Sequence, residues 1–126
     1  MKIDQKNINT LNNKGVAYNN LNEYLKAIDC YDQTLKIDPK NIDALNNMGV
    51  DYRNLEEYLK AIDCYDQTLK IDPKNITALN NKGVAYRNLK EYLKEIDCCD
   101  QILKIDPKNI TALNNMGVAY FYLNEH

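Results

Sequence analysis

The residues able to do chemistry are few in kind. There are four Cys (Cys30, Cys64, Cys98 and Cys99), one His at the last position, His126, and no Ser. A Ser or Cys triad needs a nucleophile with an imidazole beside it, and none can be assembled within one chain here. The thiols form no Cys-x-x-Cys and have no nearby His, so they make a poor metal set. Three of them recur every 34 residues. Equivalent positions on stacked helices stand about 10 Å apart, while a disulfide needs alpha carbons within about 7 Å. The expectation is four reduced thiols packed as small apolar side chains, in a reducing cytoplasm. Asp29, Asp32, Asp63 and Asp66 read as a solvated face rather than an acid–base pair. No catalysis, metal or cofactor is expected. What remains is Asn, of which there are nineteen. Eight form the pairs Asn12–Asn13, Asn46–Asn47, Asn80–Asn81 and Asn114–Asn115. A carboxamide both donates and accepts, so a column of them can hold a peptide backbone.

The elements that must position these side chains follow from the punctuation. Gly15, Gly49, Gly83 and Gly117 are spaced by 34, as are Pro39, Pro73 and Pro107. A fixed period of this length means stacked structural repeats. Three full units cover residues 8–41, 42–75 and 76–109. Residues 1–7 echo the end of a preceding unit, with Gln5 for Pro, and residues 110–126 are the first half of a fourth. No linker or second domain is visible.

Within the second unit Leu45, Met48, Gly49 and Tyr52 recur at helical spacing, followed by Leu55, which makes a helix A. Tyr58, Ala61, Ile62, Tyr65 and Leu69 make a helix B. Pro73 biases Asp72 away from helix, so helix B ends near Ile71. The turn between them falls around Glu56. The small residues Gly49 and Ala61 are expected to meet at the helix crossing. One such pair cannot bury its own apolar stripe and must stack on a neighbour.

These residues resemble the tetratricopeptide repeat family. Its period, its large apolar residue, then Leu-Gly, then Tyr match Leu45, Met48, Gly49 and Tyr52. Its later Ala, aromatic and Pro match Ala61, Tyr65 and Pro73. The resemblance implies an all-α, right-handed α-solenoid of antiparallel helix pairs, with helix A concave and helix B convex. Lys14 and Lys82 depart from the family's Leu; their stems can bury while the charge reaches water. In the third unit Glu95 replaces Ala, Cys99 replaces Tyr and Ile102 replaces Thr, all on one face. Loss of the ring makes room for the Glu95 stem. A buried unpaired carboxylate is costly, so Glu95 is expected to find a cation, Lys82 being the candidate, or to lie at a surface.

With the inward face taken from the resemblance, the groove carries Asn12, Asn13, Asn46, Asn47, Asn80, Asn81, Asn114 and Asn115. Val16, Val50, Val84 and Val118 come next, then Arg53 and Arg87. The second Asn of each pair (Asn13, Asn47, Asn81, Asn115) matches the asparagine ladder of the repeat domain of O-linked N-acetylglucosamine transferase, and the resemblance implies the same use on an extended peptide. A solvated or purely structural role for these Asn, or compositional bias, is the alternative. The chaperone-tail branch of the family grips a C-terminal carboxylate with Lys and Asn on the first A helix, Asn on the second, and Lys and Arg on the third. Here those places hold Asn12, Val16, Asn47, Thr77 and Asn81. Only Asn47 agrees, so that ligand is not expected. Arg53 and Arg87 could favour an acidic ligand residue or simply be solvated.

The net charge of −2 argues against a general polyanion binder. No apolar run approaches the ~18 residues of a membrane span. The leading expectation is a non-catalytic scaffold that binds an extended peptide or partner protein in the helix A groove. The alternative is a self-assembling piece, a homo-oligomer paired through its uncapped ends, because the side of the fourth A helix with Leu113, Gly117 and Tyr120 has no helix B over it. RNA binding, as in pentatricopeptide arrays, is a remote third, since the face has two Arg and no basic stripe.

Overall fold

The computed structural model describes residues 4–124. Seven helices follow one another there: α1 (Gln5–Asn20), α2 (Tyr24–Ile37), α3 (Ile42–Asn54), α4 (Tyr58–Ile71), α5 (Ile76–Asn88), α6 (Tyr92–Ile105) and α7 (Ile110–Asn124). Odd-numbered helices are the A helices and even-numbered ones the B helices. Each B helix stops at an Asp before a Pro. Asp72 there has φ −134°, as the ring's clash with the preceding residue requires. The next A helix begins at an Asn N-cap: the Asn41 and Asn75 side chains accept from the amides of Ala44 and Ala78. Gln5 occupies the place of these Pro, and no ring interrupts the chain. Residues 5–7 therefore form the first turn of α1. His126 lies outside the described residues.

The A-to-B turns pass through Asn22, Glu56 and Lys90 at φ 60°, 62° and 61°. This is the left-handed region, which costs a non-Gly residue about 1 kcal/mol. Only Asn is suited to it. Each helix packs on its neighbours in sequence, and α1, α3 and α5 also touch in succession more closely than the B helices do. The stack therefore curves with the A helices inside.

The apolar core crosses unit boundaries, as a solenoid requires. Ala27, Ile28 and Tyr31 of the first unit share a cluster with Ala44, Met48 and Cys64 of the second. Leu79, Cys99 and Ile102 share one with Ala112 of α7. The four Cys are buried and unbridged, and burial pushes the Cys64 and Cys98 thiols up to about 12.

The expected meeting of Gly49 with Ala61 is not what closes the crossing. A Cβ on Gly49 would stand 2.5 Å from Cε1 and 2.7 Å from Cζ of Tyr65. The glycine exists to seat that ring, and Ala61 packs instead in a cluster with Tyr65 and Ala78. The third unit has no ring to seat. Gly83 there faces Cys98 Cβ at 3.4 Å and Glu95 Cγ at 3.7 Å, so the Glu95 stem does use the space.

Candidate functional site

Every side chain the sequence nominates for binding lies on an A helix, but the structure divides them. The first Asn of a pair turns inward. Asn12 Oδ1 accepts from the Thr34 hydroxyl at 2.9 Å, and Asn12 Nδ2 donates to Asn41 Oδ1 at 3.3 Å. Asn41 in turn donates to Asp38 at 3.4 Å. The chain Thr34–Asn12–Asn41–Asp38 therefore ties α2, α1 and the start of α3 together. It recurs one unit later as Thr68–Asn46–Asn75–Asp72, with 3.0 Å from Thr68 to Asn46, 3.4 Å from Asn46 to Asn75 and 3.3 Å from Asn75 to Asp72. Thr34 and Thr68 are fully buried, so each hydroxyl needs its Asn. In the third unit Ile102 removes the donor. Asn80 Oδ1 accepts instead from Asn115 Nδ2 at 3.2 Å.

The second Asn of a pair takes no part in this tie. Asn13 is exposed, and Asn47, Asn81 and Asn115 are half-buried. Asn114 on α7 is exposed. Adjacent helix residues are about 100° apart, which is why the two members of a pair serve different faces. Val16 and Val118 are exposed, and Val50 and Val84 half-buried, beside this row.

The two Arg differ as well. Arg87 Nε donates to Glu95 Oε2 at 2.9 Å, with Nη2 at 2.6 Å from the same oxygen. Glu95 is 1% exposed, so the cation the sequence calls for is present, and it is Arg87 rather than Lys82. Lys82 pairs with Asp66 across the unit boundary at 2.7 Å. Arg87 is thus committed to the fold. Arg53 is half-buried and makes no ion pair among the described residues.

One residue of the wall was missed by the site reasoning. Asp51 is fully buried on α3, one turn from Asn47. Burial raises its carboxyl to about 7. The Tyr31 hydroxyl is pushed up to about 12, chiefly by burial and then by Asp51, and it has no hydrogen-bond partner. The signal was in the unit comparison, where Asp51 faces Ala17, Ala85 and Ala119.

At the C-terminal end, α7 shows its uncovered side. A Cβ on Gly117 would meet nothing within 4 Å. Leu113, Gly117, Val118, Phe121 and Tyr122 line an open hollow, and Tyr122 stacks on Tyr92 with centroids 5.3 Å apart. Among the described residues no group of three or more His, Cys, Asp or Glu is placed to hold a metal, and no helix is long and apolar enough to cross a membrane.

Helix pairs repeated in register, with cores shared between units, define an all-α solenoid of helical repeats. Residues 8–41 and 42–75 each match the tetratricopeptide repeat, and residues 64–97 match a second family model of the same description. The chain belongs to the tetratricopeptide repeat family. Residues 92–123 also match the protein prenyltransferase alpha subunit repeat. No curated protein matches the chain by sequence. Among solved structures it is similar to the first tetratricopeptide domain of Spaghetti (RPAP3) bound to the HSP90 peptide SRMEEVD. Identity is 23%, 97% of each chain is covered, and the TM-score is 0.88. The second such domain of human RPAP3, in complex with an HSP70 peptide, gives 19% identity, 92% and 97% coverage and a TM-score of 0.84. MamA gives 23% identity, 96% and 71% coverage and a TM-score of 0.87. Likeness at this level of identity carries the fold.

Proposed function

We propose that this chain is a non-catalytic interaction scaffold that holds an extended peptide segment of a partner protein along the inner face of its A helices. The observation that carries the proposal is the division of labour within the Asn pairs. One carboxamide of each of the first two pairs is spent on the Thr–Asn–Asn–Asp tie, and its neighbour, exposed in Asn13 and half-buried in Asn47, stays outside it. Asn13, Asn47, Asn81 and Asn115 are the ligand set, with Arg53 and the exposed Asn114 beside them. Asn12, Asn46 and Asn80 hold the fold and Arg87 holds Glu95, so these four leave the ligand set. Each backbone bond from the row is worth ~0.5–1.5 kcal/mol net. A few of them, set against the cost of association, give weak to moderate affinity.

Fold neighbours bound to HSP90 and HSP70 peptides support a short extended peptide as the ligand type. The residues at the tail-gripping places (Asn12, Val16, Asn47, Thr77, Asn81) do not favour a terminal carboxylate. Buried, unbridged thiols support a reducing compartment such as the cytoplasm. The test is capture of partners from native lysate by the full chain and by an Asn47→Ala/Asn81→Ala variant. Loss of a specific partner from the variant is expected. Undiminished capture with an intact fold would remove the Asn row as the ligand site.

A second reading is association of two copies through α7, favoured by the open space at Gly117 and the 60% exposure of Phe121. Light scattering over a concentration series tests it, and a strict monomer at high concentration would end it.

A further inference from the structure

The second unit buries one acid that the repeat does not ask for. Where the other units have Ala17, Ala85 and Ala119, α3 has Asp51. Ala85 and Ala119 are fully buried while Ala17 is exposed, so in the second unit, as in the third, the position is enclosed with room for a methyl group. Asp51 is 0% exposed, and neither carboxylate oxygen has a hydrogen-bond partner. No cation lies within 4.0 Å of it among the described residues.

The groups around it can be named helix by helix. From α2 comes the Tyr31 hydroxyl and from α4 the Tyr65 hydroxyl, both buried and both without partners. On α3 itself stands Arg53, which acts on Tyr65 and lowers its proton affinity. On α1 the Lys14 ammonium sits over the Tyr18 ring at 6.0 Å. From α5 come Lys82 and Arg87, already taken by Asp66 and Glu95. Asp51 therefore has two unpartnered neutral hydroxyls on the helices packed against α3 and no cation within 4.0 Å to balance it. An ionised carboxylate in such a place must draw in water or move.

We propose that Asp51 makes the joint between the first and second units a pH-responsive device. Protonated, it is a neutral group the joint tolerates, able to donate to Tyr31 or Asn47. Ionised, it wets the joint and loosens α1 and α2 from α3. The device needs no ligand, so its success or failure is separate from that of the proposed groove.

The sign follows from burial, which raises the folded-state carboxyl from 3.8 to about 7. The folded chain then holds a proton that the unfolded chain has lost between those two values. Stability falls as pH rises through that window and levels off above it. Between pH 5 and pH 8 the unfolding equilibrium constant should rise about a hundredfold from this group alone.

The experiment is urea unfolding of the full chain at pH 5 and pH 8, for wild type, Asp51→Ala and Asp51→Asn. The expected result is a midpoint that drops at pH 8 in wild type and a clearly smaller drop in both variants. His126 and the surface acids contribute equally to all three. Amide exchange in wild type, corrected for its intrinsic pH dependence, should accelerate in α1 and α2 relative to α5 and α6 at the higher pH. Equal pH dependence in wild type and both variants would overturn the proposal. If a variant fails to fold, carbon NMR titration of the Asp51 carboxyl in wild type decides: a midpoint near 4 overturns it, and one near 7 upholds it.

Discussion

The four glycines hold one repeat position and face three different environments, so a single substitution made four times measures what the position is for. None has positive φ, so Gly→Ala adds no backbone strain, and each change should gain about 1 kcal/mol of helix propensity. What differs is the space. A Cβ on Gly49 lands 2.5 Å from the Tyr65 ring, and one on Gly15 lands 2.6 Å from the Tyr31 ring. Both rings are fully buried and cannot swing away. Overpacking of this kind costs about 1–3 kcal/mol, and contacts this close belong at the upper end. The expected net is a loss of about 1–2 kcal/mol for Gly15→Ala and Gly49→Ala. Gly83→Ala meets Cys98 Cβ at 3.4 Å and should be close to neutral. Gly117→Ala meets nothing and should keep nearly the whole gain, about 1 kcal/mol. Urea unfolding followed by circular dichroism at fixed pH ranks the four. Gly49→Ala at or above wild-type stability would refute the claim that the glycine exists to seat the ring. Destabilisation by Gly117→Ala would refute the claim that α7 is uncovered.

Asn46→Ala strands the buried Thr68 hydroxyl and should cost about 1–3 kcal/mol, whereas Asn47→Ala should fall within about 0.5 kcal/mol of wild type; equal effects in urea unfolding would contradict the division of the pair. Arg87→Ala leaves Glu95 buried and alone, a loss of about 3 kcal/mol or more. Lys82→Ala, which breaks the part-exposed pair with Asp66, should cost no more than about 1 kcal/mol; the reverse order in thermal melts would show the pairing to be misassigned. In the native protein a thiol reagent should label the Cys slowly, because burial raises Cys64 and Cys98 to about 12. In denaturant all four should react at once, and fast native labelling would contradict the burial.

The period, the helix pairs, their ends at the Asp–Pro steps and the turn at Glu56 were all legible, because each rests on local chemistry that repeats. Partner choice was not. The sequence offers Lys82 as a partner for Glu95, yet Arg87 lies four residues beyond Gly83. Gly83 faces α6, so Arg87 shares its side and meets Glu95. Lys82, one residue off that line, looks back at Asp66 on α4. The roles within the Asn pairs were hidden for the same reason. Two adjacent carboxamides look alike in sequence, and only the Thr on the facing helix decides which of them is consumed. Asp51 stood in plain view as a departure from Ala, but its meaning depended on how completely the joint excludes water.

The replacement of Thr by Ile102 reaches further than one lost hydroxyl. It sends Asn80 to Asn115, which uses one of the two amide protons of Asn115 and leaves the second able to serve a ligand. A side chain proposed for binding is thereby held by the fold itself, so the joint between α5 and α7 orients that carboxamide before anything binds and lowers the ordering cost of using it.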